Sequence, residues 1–172
     1  KFDIVVPEAK LTGSALLAGE PREREVTGLI DPRLRFSVNL YGAPAMSLAE
    51  FPGYQQDVII GASLAITAPL GQYDDSRLIN LGNNRWSFKP ELGISKRLGQ
   101  VTLELSGAGT FYTDNDELLG DHVLSQDPIY QVQGHLIYAF SNGVWASLDA
   151  TWFTGGSTSV DGVGNHDHQE NT

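Results

Sequence analysis

The chain of 172 residues has no cysteine, so it can form neither a disulfide nor a thiolate-ligated metal site. It also lacks any run approaching the roughly 18 to 20 consecutive apolar residues of a transmembrane helix. Basic residues are scarce, with 11 lysines and arginines against 21 aspartates and glutamates, and the formal net charge is -10. This balance argues against nucleic-acid binding and against a basic helix on a membrane surface.

The most regular stretch of the sequence lies between residues 127 and 156. From Tyr130 to Phe140, and again from Val144 to Trp152, apolar and polar residues alternate, and Ser141-Asn142-Gly143 separates the two runs. Period-two alternation around a short turn predicts a β-hairpin. Its strands exceed the usual length of about five or six residues. One apolar face ending in aromatics and one polar face favour a membrane-spanning barrel, although a soluble barrel or sandwich gives a similar pattern with reversed faces.

Similar alternation predicts about seven strand regions in the whole chain. They lie near residues 2–18, 31–41, 58–68, 86–95, 101–111, 130–140 and 144–154. The links at Leu98 and Asn142 are tight, whereas those at 70–85, 114–127 and after 155 are long and polar, as in outer-membrane barrels. Because short and long connections alternate in such barrels, the 42–56 link, with a short periplasmic helix near 46–51, is predicted to lie on the periplasmic side.

Two further local features lead to predictions about the strands. The charged run 20–25 is predicted to be a solvated external loop, and Pro90 predicts an edge or a bulge in its strand. Single-chain bacterial barrels have even strand numbers, so seven regions suggest a cut at one or both ends. The sequence therefore predicts one domain over 1–172: an all-β, antiparallel meander of a transmembrane β-barrel that is incomplete.

Charged residues on the strands are expected to face the lumen, because a charge in the middle of the bilayer costs about 2–4 kcal/mol. The predicted lumen-lining residues are Arg33, Arg35, Lys89, Glu91, Glu104, Gln131, Gln133, His135 and Asp149. A three-residue turn pairs positions whose numbers sum to 284, which places His135 opposite Asp149. We predict a cross-strand ion pair there, which either holds the wall or takes part in solute selectivity.

Aromatic residues fall near the two ends of the predicted strands. Trp86, Tyr130 and Trp152 lie towards the long loops, and Tyr138 and Phe140 lie towards the tight turn. Two such bands are the aromatic girdles that mark the membrane interfaces of these barrels.

Signs of catalysis or metal binding are weak. No serine lies in a nucleophile elbow, and no glycine loop has phosphate-binding spacing. Ser147 is the one hydroxyl that could complete a triad with His135 and Asp149. His166 and His168 could hold a metal, but a solvated tail is favoured. We therefore predict no catalytic residue, metal or cofactor, while the acidic loops could bind cations that bridge lipopolysaccharide.

Several consecutive motifs resemble one bacterial family. They cover residues 31–35, 39–44, 80–91, 111–115, 126–130, 134–138 and 145–151. These runs are similar to those of outer-membrane transporters associated with the meta-pathway of phenol degradation, and the resemblance spans nearly the whole chain. It implies a porin-like β-barrel in the outer membrane of a Gram-negative bacterium, in contact with lipid, and it supplies no catalytic residues.

Three functional hypotheses follow from these patterns. The first is a channel or transporter that passes small aromatic or hydrophobic compounds. The second is a structural or adhesive barrel with a plugged lumen. The third is an outer-membrane enzyme with its chemistry at His135 or in the external loops.

Overall fold

The computed structural model describes residues 1–17 and 20–164, which fold almost entirely into strands. In chain order these are β1 (Phe2–Val5), β2 (Glu8–Leu17), β3 (Glu20–Leu29), β4 (Arg33–Tyr41), β5 (Val58–Thr67), β6 (Ser87–Leu98), β7 (Val101–Tyr112), β8 (Asn115–Leu118), β9 (His122–Gln126), β10 (Ile129–Ala139), β11 (Trp145–Gly155), β12 (Thr158–Val160) and β13 (Val163–Gly164). None of the helices among these residues is long and apolar enough to span a membrane.

Seven strands form one sheet, which we call the wall, in the order β1-β4-β5-β6-β7-β10-β11. Every neighbouring pair is antiparallel. In the described part of the chain β1 and β11 are the two edges and do not pair with each other. The predicted fold class, an all-β antiparallel meander of an unclosed barrel with seven strand regions, is confirmed.

The wall has one apolar and one polar face, because its strands alternate with period two. Large apolar side chains on one face are between 38% and 71% exposed, namely Phe36, Val38, Leu64, Leu92, Leu105, Leu136 and Leu148. Among the described residues only Val26 and Ala68 are buried apolar side chains. A soluble antiparallel domain packs one face of its sheet on a core. Among the residues that the structure describes, none provides such a cover for the apolar face of this wall.

One end of the wall, which we call the tight-turn end, carries short connections. Gly99 and Gln100 join β6 to β7, and a 3-10 helix at Ser141–Gly143 joins β10 to β11. Gly99 has φ +65° and Gly143 has φ +75°, a backbone conformation that glycine adopts without steric cost. The link between β4 and β5 lies at the same end. Where the sequence predicts a helix near 46–51, this link has a turn at 48–50 and a 3-10 helix at Phe51–Gly53.

The opposite end, the long-loop end, contains more strand than the sequence predicts. The charged run 20–25 belongs to β3, which pairs with β2 from Glu8↔Leu29 to Leu17↔Glu20. The prediction of a loop at 20–25 is therefore wrong. β2 and β3 form a two-stranded sheet of their own, and charged side chains are compatible with it where they stay exposed, as in the 2.6 Å ion pair between Lys10 and Glu25.

The links predicted as an acidic loop at 114–127 and a polar tail after 154 are also partly strand. β8, β9, β12 and β13 form a second sheet in the order β13-β12-β9-β8. The turn after β12 is tied to β9, since the Asp161 carboxylate accepts hydrogen bonds from the Val123 N–H (2.9 Å) and His122 Nδ1 (2.6 Å). These bonds, the backbone one first, lower the pKa of Asp161. His166 and His168 lie outside the described residues.

Pro90 is not at an edge, contrary to the prediction. It lies in β6, which pairs with both β5 and β7, and it stands opposite Leu64 of β5. On the β7 side the pairing skips Lys89 and Pro90 between Phe88↔Phe111 and Glu91↔Ala108, with no inserted residue. The wall therefore tolerates this proline as a local gap in one ladder, because proline lacks only the N–H.

A buried carboxylate fixes the 68–86 loop to the long-loop end of the wall. Asp31 is only 5% exposed, and its two oxygens accept hydrogen bonds from the N–H groups of Gly71 (2.9 Å) and Asn83 (2.7 Å). A Cβ added to Gly71 or Gly82 would lie 2.8 Å from Asp31 Oδ1, so glycine is required for this close approach. Asp31 thus satisfies two backbone donors that a loop of this length would otherwise leave unpaired.

We predict that Asp31→Asn loosens this loop and destabilises the protein by about 1.5–3 kcal/mol, the usual contribution of hydrogen bonds to a charged group. The free energy of unfolding in detergent and the rate of proteolysis within 68–86 measure the effect. Asp75→Asn is the matched control, because Asp75 is exposed in the same loop. Equal stability of the two variants would contradict the anchoring role of Asp31.

Candidate functional site

The predicted lumen-lining residues all lie on one face of the wall. In an antiparallel sheet, directly opposed residues share a face, as do alternate residues of one strand. The registers therefore place Arg33, Arg35, Lys89, Glu91, Glu104, Gln133, His135 and Asp149 on the polar face, together with Gln131. That this face lines a lumen stays a prediction.

Towards the long-loop end, two cations surround one carboxylate. Arg35 Nη2 donates to Glu91 Oε1 (3.0 Å) and to Ser63 Oγ (3.1 Å). Lys89 Nζ lies 4.0 Å from Glu91 Oε2 and donates to Gln131 Oε1 (2.9 Å). These bonds join β4, β5, β6 and β10 through side chains, so the charge of Glu91 is compensated from two strands.

Towards the tight-turn end, His135 stands between two acidic residues. It lies opposite Asp149 on β11, as predicted, and opposite Glu104 on β7. Its Nδ1 is hydrogen-bonded to Asp149 Oδ1. On the other side, Glu104 Oε1 accepts a hydrogen bond from Ser95 Oγ (3.0 Å). The predicted pairing of His135 with Asp149 is confirmed, and Glu104 is a neighbour that the hairpin alone could not reveal.

Ser147 does not have the geometry of a catalytic nucleophile. Its hydroxyl donates to Asp149 Oδ2 (2.9 Å), whereas an activated serine is hydrogen-bonded to the imidazole. Among the described residues, no three His, Asp or Glu side chains are grouped closely enough to hold a metal ion. The arrangement resembles a structural hydrogen-bond chain more than a reaction centre.

A cavity of about 350 Å³ opens on the polar face between these two groups of charges. Arg35 and Glu91 border it on one side, and Glu104 and His135 border it on the other. Small residues form its floor, namely Ser37, Gly61, Ser63, Gly93, Ser95 and Ser106. No aromatic side chain of the described residues lines it. The space exists because these residues have little or no side chain, and its lining combines charged and hydroxyl groups with apolar residues such as Ile59.

Arg85, at the long-loop end, is a residue that the sequence patterns did not single out. Its guanidinium lies 4.7 Å from the centre of the Tyr112 ring, and its Nη2 donates to Gln126 Oε1 (2.5 Å). Burial lowers the pKa of Arg85, an effect that Tyr112 and Asp114 oppose. Gln126 is 41 positions away, so only the fold brings the pair together.

The predicted girdle residues are exposed at the two ends of the wall. Trp86, Tyr130 and Trp152 are 43%, 50% and 55% exposed near the long-loop end. Tyr138 and Phe140 are 37% and 51% exposed near the tight-turn end, where their rings meet edge to face at 4.7 Å. Their placement matches the prediction, while contact with membrane interfaces stays a prediction.

The comparisons with known proteins agree with this architecture. A crystal structure of an outer membrane channel from Pseudomonas putida F1 is similar, with a TM-score of 0.67 and 27% sequence identity, over 83% of this chain and 50% of that one. The chain thus spans half the length of that channel. The search of curated proteins found no match. A family model described as "Putative MetA-pathway of phenol degradation" matches residues 2–172. As the resemblance of its motifs predicts, the chain belongs to this family.

Proposed function

We propose that the chain forms part of the wall of a passive outer-membrane channel for small organic solutes. The observation that carries the proposal is the two-faced wall, with an uncovered apolar face on one side and a cavity lined by charged and hydroxyl groups on the other. The similarity to an outer membrane channel supports the same conclusion.

Lipid is the medium that fits the apolar face. Ten residue steps separate Tyr130 from Phe140 in the sequence, which corresponds to about 33 Å along a strand. At a strand tilt of about 40°, this length spans about 25 Å, the height of the apolar band of an outer-membrane barrel. Water would leave the exposed leucines and aromatics of this face unfavourably solvated.

The polar face supplies the solute pathway in this proposal. Its hydroxyl, amide and charged groups can exchange hydrogen bonds with water and with a passing solute, as channel linings do. The aromatic or hydrophobic character of the solutes is carried over from the family resemblance, and the serine and glycine floor of the cavity leaves room for a small ring. Catalysis is not part of the proposal, since Ser147 is bonded to Asp149.

We predict different effects of a new charge on the two faces. Leu92→Arg puts a charge on the apolar face and should destabilise the protein in lipid vesicles by about 2–4 kcal/mol. Ser106→Arg is the matched control. Ser106 lies on β7, which pairs with the β6 strand of Leu92, but it faces the cavity. The free energy of unfolding in urea measures both. Equal losses would contradict the assignment of lipid and water to the two faces.

We also predict that narrowing the cavity lowers conductance. Gly93→Phe on the cavity floor should reduce the single-channel conductance of the full-length protein in a planar bilayer by about half or more, because pore width limits flux. Gly107→Phe is the control: Gly107 lies opposite Leu92 on the apolar face, with open space where its Cβ would be.

The result is interpretable only if both variants fold to the same extent, which the shift in gel mobility on heating reports. Equal conductance of the two variants would contradict the proposed pathway. Absence of any conductance in the unmodified protein would contradict the channel itself.

A further inference from the structure

Two rows on the polar face carry charges of opposite sign, with Glu91 between them and Arg97 beyond the second row at the tight-turn end. Arg35 and Lys89 lie in one row near the long-loop end, with Ala65 between them in the register. Glu104, His135 and Asp149 lie in another row nearer the tight-turn end, and Ser95 of β6 belongs to the same row. Lys89 and Ser95 are six residues apart on β6, which is about 20 Å. We call the second row the acidic belt.

The two regions differ in how far their charges are compensated. Glu91 has Arg35 at 3.0 Å and Lys89 at 4.0 Å. Glu104, by contrast, accepts a hydrogen bond from the neutral Ser95 hydroxyl, and it forms no ion pair with any described residue. Asp149 and Glu104 flank a single imidazole, that of His135, which is hydrogen-bonded to Asp149. The acidic belt therefore contains two carboxylates and one imidazole. Of the two carboxylates, that of Glu104 borders the cavity.

We propose that the acidic belt makes the channel select for cations and for solutes that carry an ammonium or another hydrogen-bond-donating group, with Glu104 as the main determinant. The inference rests on the proposed channel function. Rings of carboxylates favour cations in pores, and a low-dielectric wall strengthens the field of such charges. A bare hydrocarbon gains nothing from these carboxylates, whereas a donor group can bind Glu104 as it passes the cavity.

The predicted preference for cations is best tested at the carboxylate that has no cationic partner. Neutralising Glu91 would leave Arg35 and Lys89 without their partner, so its effect would mix lost negative and released positive charge. Neutralising Glu104 leaves no cation without its partner, because the hydrogen-bond donor to Glu104 is the neutral Ser95 hydroxyl. Glu104→Gln is therefore the cleaner variant, because the amide keeps the size of the side chain and can still accept from Ser95.

Reversal potentials across planar bilayers test the proposal, recorded with the full-length protein under a KCl gradient at mildly alkaline pH. Glu104→Gln should lower the cation-over-anion permeability ratio about threefold, the effect of one unit charge a few ångströms from the path in water. Ser106→Glu adds a carboxylate on the same cavity floor and should raise the ratio. With methylammonium chloride in place of KCl, we expect the permeability ratio to change in the same direction in each variant.

Asp116→Asn is the matched control, since Asp116 is an exposed acid of β8 outside the wall. It removes the same charge and should leave the ratio unchanged. An unchanged ratio in Glu104→Gln, with normal conductance, would overturn the inference while leaving the channel in place. Absence of conductance in the unmodified protein would instead overturn the proposed function.

Discussion

Backbone hydrogen bonding between antiparallel neighbours is the interaction on which this structure depends. A soluble domain derives most of its stability from a buried apolar core, but only Val26 and Ala68 are buried apolar residues in the described part of this chain. The wall is instead a continuous ladder of paired strands, each satisfying the donors and acceptors of the next. Because side chains contribute little to a core, the residues of the two faces are free to match two different surroundings.

The same ladder builds the candidate pathway. Arg35 and Glu91 are 56 positions apart in the sequence and meet because β4, β5 and β6 are in register. A slip of one residue in any strand would move its polar set to the apolar face, where each charge would cost about 2–4 kcal/mol in lipid. The solvation of the side chains therefore fixes the strand register, and the same register determines which charges meet on the polar face.

Period-two alternation sufficed to predict the wall strands, and a three-residue turn sufficed to place His135 opposite Asp149. Both are local properties, governed by side-chain period and turn length. The errors arose where distant segments decide the structure. Residues 20–25 look like a loop because charged residues are disfavoured in strands that pack on a core. They belong instead to a separate two-stranded sheet in which charged side chains such as Glu25 stay exposed. The bonds from Asp31 to Gly71 and from Arg85 to Gln126 join positions 40 and 41 apart, and no local pattern encodes such pairs.

The open edges of the wall decide how much of the proposed selectivity can be assigned to this chain. Unpaired backbone groups are not tolerated in lipid, so in a bilayer β1 and β11 need hydrogen-bond partners outside the described sheet. Asp149 lies on the edge strand β11, and its surroundings depend on what pairs there. Glu104 lies on β7, which is flanked by β6 and β10, so its position and its hydrogen bond to Ser95 are set within the described wall. The selectivity proposed for Glu104 therefore depends on contacts within the described wall and not on what pairs with its two edges.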